Sequence, residues 1–524
     1  HAACVRLVDY LGAFTAPDLS GPMLRRCGGL AVETLAVAVL GTCLGLLLAY
    51  PLALGSSRCV VLGDEPTRGA SAMARRGLLQ ANRLSLDVLR GVPDFVWAVL
   101  LANFTGVNAA TGVLAIAVSV AGILGKVLSE QWDNVDPARY LAVRSTGAPR
   151  LAVFAYGIQP LAARAMQSFV LMRFECAVRN ASVIGVVGGG GLGAALWDEY
   201  TDGNWSRVGT VLLCLLLLTS ITDLAANLVR RQLRIDPNHP RHSGSPGRAA
   251  AAGRRALVAG ALAVLLAGSI AAVQEPLGRA AAELQRIEWP FARDYAVGLL
   301  VPDLHPDTLW AVLRHSLVPL AIGLLATLFG AAGAALLCYP ASIAFQLEAH
   351  RFTGERLGPL TAAGRWLTVV VARGIALVLR GVPEVAWVVL LSVFFQIGVT
   401  PCVLAIALHS TGVLHRVFTE TVDNVPYALL ERAGPARRVQ RFAYNAVPRA
   451  FADWRTYVFF QFEVNMRIGI ALGIVGAGGL GDRFDSNLKF REFGTASAFL
   501  WAMVLLTVLV DRLSRRLQLR RNRC

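Results

Sequence analysis

The sequence predicts an all-α polytopic membrane protein made of two homologous halves that point the same way. About 11–12 transmembrane helices are expected. Three observations carry this. The 524 residues are 55% hydrophobic and only 16% charged, against about 25% charged in an ordinary soluble domain. Apolar runs such as Leu30–Ala53, Val208–Leu228 and Ala256–Val273 reach the length that crosses a bilayer. The third observation is a direct repeat. Leu-Arg-Gly-Val-Pro-Asp from Leu89 returns as Leu-Arg-Gly-Val-Pro-Glu from Leu379, and Asp133-Asn134-Val135 returns as Asp423-Asn424-Val425. Phe174-Glu175 and Arg179 return as Phe462-Glu463 and Arg467.

Taken in order, the first half offers spans near 30–54, 88–104, 110–130, 163–192 and 206–229. The first is a long apolar run with Glu33 near its start. The second opens on Arg90 and Pro93, an arginine suited to anchor at the interface and a proline suited to a first helical turn. The third is an apolar run that precedes the repeated Asp133-Asn134-Val135. The fourth carries the Glu175/Arg179 pair and closes on a glycine cluster, and the fifth precedes an arginine-rich connector. In the second half an added span, 256–274, comes before spans near 308–340, 373–397, 401–421, 455–480 and 495–511. Arg380 and Pro383 repeat the anchor and turn roles. The halves are therefore 1–230 and 256–524, joined by a linker at 231–255. Stretches 57–84 and 341–372 read as long polar-to-mixed loops. Residues 1–29 resemble 283–307. Either a leading span precedes them or the first half works with five.

The net charge of +16 is almost entirely arginine, with only Lys126 and Lys489 as lysines. The arginines cluster between alternate spans, while the intervening loops are neutral or acidic. This is the positive-inside pattern rather than a nucleic-acid surface. It places the linker and the C-terminus in the cytoplasm. Six crossings separate the Glu175 helix from the Glu463 helix, so the repeats are parallel. The cysteines show no metal-ligand spacing, and the linker histidines read as solvated, so no metal is expected.

Gly188, Gly190 and Gly193 satisfy G-x-G-x-x-G, and Gly476, Gly478 and Gly481 repeat it. A dinucleotide loop must follow a strand. Each copy here follows an apolar span, so close helix packing or a gate is the better reading. The Ser119–Glu130 stretch departs from the phosphate-loop pattern at Val120 and Val127, which leaves no nucleotide site in the chain. Glu175/Arg179 and Glu463/Arg467 are spaced i, i+4. They read either as self-neutralising pairs that fix packing or as a cationic waist for an anionic substrate. Two polar, helix-like cytoplasmic segments suggest a paired docking surface for two identical partners. One carries Arg144, Gly147 and Pro160, the other Glu431, Gly434 and Pro448.

These residues resemble the permease subunit of a type I ABC importer, of the MetI-like fold, and within it the phosphonate/phosphate/phosphite branch. The resemblance rests on FECAVRNASVIGVVGGGGLG and FEVNMRIGIALGIVGAGGLG, on both Leu-Arg-Gly-Val-Pro elements and on the two Gly-to-Pro coupling segments. The coupling segments depart from the family pattern, with Leu141-Ala142-Val143 and Ala428-Leu429-Leu430 where it has Glu-Ala-Ala or Glu-Ala-Leu. The resemblance implies a multi-pass inner-membrane subunit that moves an oxyanion by alternating access. It also implies two cytoplasmic ATPase subunits, which hold ATP and magnesium, and one extracytoplasmic substrate-binding protein. A methionine-type amino acid as solute is the near alternative, and an ion-coupled secondary transporter the distant one.

Overall fold

A backbone in hydrocarbon can satisfy its N–H and C=O groups internally only as helix or closed barrel. Among the described residues every regular element is helical. The computed structural model describes residues 16–63, 70–232, 248–349, 358–396, 398–431 and 437–519. The chain divides into two compact units, residues 1–294 and 295–524.

In the first unit α1 (Gly21–Ser56) packs along α4 (Ala109–Asp133). Small residues permit the close approach. A Cβ added at Gly41 would lie 2.7 Å from Ile116, and one at Gly45 2.7 Å from Val120. Ala36, Val37, Ile116, Val120 and Leu124 form the core with Ala177, Val178 and Ala181 of α5 (Gln159–Ile184). Such packing, rather than hydrophobicity, drives helices together in lipid. α4 starts where Asn108 accepts hydrogen bonds from Ala110 N at 2.9 Å and Thr111 N at 3.3 Å, an N-cap. α6 (Gly191–Thr201) and α7 (Trp205–Gln232) complete the set. α8 (Arg248–Gln285), which the repeat arithmetic assigns to the second half, packs in space on α1, α4 and the short helix Asp94–Thr105 of the first unit.

One correction concerns the Leu-Arg-Gly-Val-Pro element. It does not open a span. It separates α2 (Ala70–Gly91) from α3 (Asp94–Thr105), with Pro93 as the N-cap of α3. The stretch read as a loop at 57–84 is helical over Arg58–Val61 and again from Ala70, where the helix is amphipathic: Ala72 and Leu79 are buried while Arg76 faces outward. The stretch 341–372 is helical over Ile343–Gln346 and again from Pro359, where a helix apolar enough to cross a membrane begins.

The second unit repeats the order. It comprises α10 (Pro306–Ala341), α11 (Pro359–Gly381), α12 (Glu384–Ser392), α13 (Val399–Asp423), α14 (Val447–Leu472), α15 (Leu480–Lys489) and α16 (Phe493–Leu519), after a connecting helix α9 (Trp289–Leu300). Gly122 and Gly412 let α4 and α13 approach the C-terminal ends of α2 and α11. A Cβ on them would lie 2.6 and 2.5 Å from the backbone N of Arg90 and Arg380. Among the described residues nine helices are long and apolar enough to cross a membrane. α5 also reads as a span, although it carries Arg173, Glu175 and Arg179.

Each unit ties the segment ahead of a long helix, α1 or α10, to the start of a later one, α7 or α16, in the same way. Asp18 N donates to Ser206 O at 3.2 Å, and Asp303 N to Gly494 O at 3.0 Å. The backbone N–H of Ser20 holds the Asp18 carboxyl below the ordinary carboxylate range. That of His305, followed by the Thr308 hydroxyl, does the same for Asp303.

Candidate functional site

The glycine clusters follow helices, not strands. After α5 the chain makes one wide π turn, Gly185–Gly189, and then reverses through Gly190 and Gly191 at φ +75° and +70°. Only glycine takes that region freely. The returning segment presses on its own helix: a Cβ at Gly193 would lie 1.9 Å from Ser182 O, and one at Gly481 2.1 Å from Ile470 O. Gly188 and Gly476 also have positive φ, +97° and +114°. Gly478, at φ +75°, has open space where a Cβ would go. Polar groups hold the first cluster, with Leu192 N donating to Thr34 Oγ1 at 2.9 Å and Glu33 beside Gly190. Val318 and Pro319 face Gly479 in the second.

The two Glu/Arg pairs differ. Arg467 Nη2 donates to Glu463 Oε1 at 2.8 Å, the i, i+4 contact expected from spacing. Glu175 Oε1 instead accepts from Arg230 Nη2 of α7 at 2.6 Å, while Arg179 Nη2 lies 3.8 Å from Cys176 Sγ. Both carboxylates are buried. Spacing along one helix could not reveal Arg230, which comes from another.

Arg90 is tucked in rather than spread on the surface. Its Nε donates to Asp87 Oδ1 at 3.0 Å, the atom that also accepts from Lys126 Nζ at 2.8 Å. Arg380 lies at the C-terminal end of α11, and Pro383 N-caps α12 as Pro93 caps α3.

Asp133 and Asp423 brace the ends of the helices that lead to the coupling segments. Asp133 accepts from Ser57 Oγ at 2.8 Å, Cys59 N at 3.2 Å and Arg83 Nη2 at 3.1 Å, and Arg83 Nε reaches Ser56 O at 3.0 Å. Asp423 accepts from Ser342 Oγ, Ala344 N and Arg373 Nη2, and Arg373 Nε reaches Ala341 O. One carboxylate thus joins three chain segments in each unit. The Asp-Asn-Val repeat was visible in sequence; its partners were not.

The first segment expected to couple runs through short helices Leu141–Arg144 and Arg150–Val153, a π turn Phe154–Ile158 and Pro160 in the first turn of α5. Gly147, at φ +75°, ends the first of these, its N donating to Arg144 O at 3.1 Å. Trp132 packs edge-on against Phe154 below it, ring centroids 4.8 Å apart. Arg150 Nη1 donates to Val61 O and, at the matching place, Arg438 Nη1 to Phe345 O. In the second segment Glu431 ends the helix Tyr427–Glu431 and Pro448 begins α14. Gly434 lies outside the described residues, as does 233–247 of the linker. Leu151 and Tyr156 are exposed, and so are their counterparts Val439 and Tyr444. Tyr156 and Tyr444 are 78% and 79% exposed, which leaves matching aromatic surfaces uncovered by the described residues of either unit.

A further cluster was missed. Asp94, Ser119, Arg173 and Asn180 converge inside the first unit. The signal lay in the repeat itself, since Gln461 stands where the first half has Arg173.

Residues 72–235 and 356–523 each match the family described as "Binding-protein-dependent transport system inner membrane component". The chain is 28% identical to the "Phosphate-import permease protein PhnE" of Mycolicibacterium smegmatis, over 97% of this chain and 88% of that one. It is 31% identical to the "Putative phosphite transport system permease protein HtxC" of Stutzerimonas stutzeri, over 44% of this chain and 76% of that one. A solved chain from inward-facing MetNI methionine ABC transporter crystals shares 19% identity over 41% of this chain and 98% of its own, at a TM-score of 0.36.

Proposed function

From the premise that this chain belongs to the binding-protein-dependent transport system inner membrane components, we propose that it supplies both membrane halves of an importer for phosphate, phosphonate or a related oxyanion. The observation that carries this reading is the duplicated module matched along 97% of the chain to a protein named as a phosphate-import permease.

In this reading Tyr156 and Leu151 in the first half, and Tyr444 and Val439 in the second, receive two cytoplasmic ATPase subunits. Those partners hold ATP and magnesium. A single extracytoplasmic binding protein delivers the anion to the outer side, and the basic C-terminal tail lies in the cytoplasm. Nucleotide binding shifts the protein between inward- and outward-open states only in so far as the ATPases bind one state better. Asp133 and Asp423 transmit that shift, because each ties a coupling segment's leading helix to two neighbours. Arg179 and Arg467 lie along the anion's route, and the glycine clusters act beside it as close-packed gates.

The test is ATP-driven uptake of labelled phosphate and methylphosphonate into vesicles holding the chain with its ATPase and binding protein. Uptake is expected only with all three. The Arg179→Gln/Arg467→Gln double variant is expected to assemble and lose at least about tenfold in rate, a charge-assisted contact being lost on each side. Uptake by the chain alone along an ion gradient would overturn the reading in favour of a secondary transporter.

A further inference from the structure

Asp94 is the first residue of α3, and its carboxylate is ringed by donors from two other helices. Ser119 Oγ of α4 and Asn180 Nδ2 of α5 donate to it, and Arg173 Nη2 of α5 lies 3.3 Å from Oδ2. Arg173 Nη2 is also 3.4 Å from Ser119 Oγ. Arg173 Nε is buried without a hydrogen-bond partner among the described residues. Arg173 and Asn180 are two turns apart, so one face of α5 presents both. Ser119 stands near the middle of the spanning helix Ala109–Asp133, which places the cluster well inside the membrane.

A hydroxyl, a carboxamide and a guanidinium with an unused N–H are a donor set for an oxyanion. Among the described residues of the second unit this donor set does not recur. Glu384, in the place of Asp94, meets His409 Nε2 at 3.2 Å, and His409 stands where Ser119 does. Gln461 and Ile468 occupy the Arg173 and Asn180 places, and Gln461 Nε2 donates to Asn465 Oδ1 and Ser410 Oγ. The structural braces at Asp133 and Asp423 recur in both halves. This cluster does not, which separates it from the scaffold.

We infer that Arg173, Asn180 and Ser119 form an oxyanion site that the Asp94 carboxylate fills as an internal stand-in, and that a tetrahedral phosphate-type anion displaces it during transport. The inference rests on the proposed function and names the site at which that anion is recognised. A tethered carboxylate has a high effective concentration, so a free anion binds weakly at rest. A dianion gains more from the guanidinium than a carboxylate does. Weak, displaceable binding suits a conduit, whose sites must release what they take.

The test uses the complete transporter in detergent, titrated with inorganic phosphate, methylphosphonate and, as a control without a phosphorus centre, sulfate. Asp94→Asn keeps the shape and removes the competing charge. It is expected to tighten phosphate and methylphosphonate binding about tenfold or more, and adding Arg173→Gln is expected to abolish the gain. Unchanged affinity in Asp94→Asn would overturn the inference. Asn180→Ile is the second arm should that variant not fold, since the second unit already carries Ile468 there. Phosphate uptake is expected to fall at least about fivefold with the melting temperature held, because a donor to the anion is lost; a fall in melting temperature with full uptake would mark a purely structural role and overturn it. A transporter that imports none of the phosphorus anions would fail the proposed function. A working phosphate importer indifferent to both substitutions would fail this site alone.

Discussion

Arg491 shows what the repeat tolerates at a single residue. It has φ +61°, and the matching residue of the first half is Gly203 at φ +72°. Both end a helix in the same turn, Glu492 N donating to Asn487 O as Asn204 N donates to Glu199 O. A side chain in the left-handed region costs about 1–2 kcal/mol, partly offset by the freedom glycine adds to the unfolded chain. Arg491→Gly is therefore expected to stabilise the protein by about 0.5–1 kcal/mol, read as a higher unfolding midpoint in detergent. A lowered midpoint would mean that the arginine side chain holds the turn. At this scale the sequence was legible where partners lie on one helix. The i, i+4 rule found Glu463–Arg467. It could not find Arg230 for Glu175, nor the donors that reach Asp94 from α4 and α5. Those contacts depend on which helices become neighbours, which periodicity does not encode.

At the scale of elements, the two glycine clusters separate two kinds of requirement. Gly193 and Gly481 are glycine for want of space, their virtual Cβ atoms lying 1.9 and 2.1 Å from backbone carbonyls that cannot move aside. Gly478 is glycine for its backbone angle alone, with open space around it. Gly481→Ala is accordingly expected to undo the reversal between α14 and α15 and to stop assembly of the transporter. Gly478→Ala should cost about 1 kcal/mol and leave an assembled protein. Yield and gel-filtration profile of the purified complex distinguish the two, and equal behaviour would contradict the close-packing account. Apolar runs marked most spans within a few residues. The Leu-Arg-Gly-Val-Pro break was not legible in this way, because α2 is amphipathic and too polar for a hydropathy reading. Its burial of Leu79 and Leu86 is visible only against α4 and its neighbours.

For the whole molecule, the proposed importer would offer its two ATPase subunits one docking surface on each homologous half, and the two need not be equal in strength. Tyr156 and Tyr444 hold matching positions within the π turns, both largely exposed. Exposed aromatics of this kind contribute little to the fold and a great deal to an interface, where truncating one commonly costs about 2 kcal/mol or more, roughly a thirtyfold loss of affinity. Tyr156→Ser and Tyr444→Ser are each expected to leave the chain folded and to release one ATPase subunit. The double variant should release both. In the proposed mechanism both subunits close together, so either single change is expected to lower uptake as severely as the double. Binding would fall in two steps while activity falls in one. Co-purification of the ATPase against a tagged chain measures the first, and vesicle uptake the second. A single variant that keeps half the uptake would show that the halves work independently, and a double variant that still binds its ATPases would place the docking surface elsewhere.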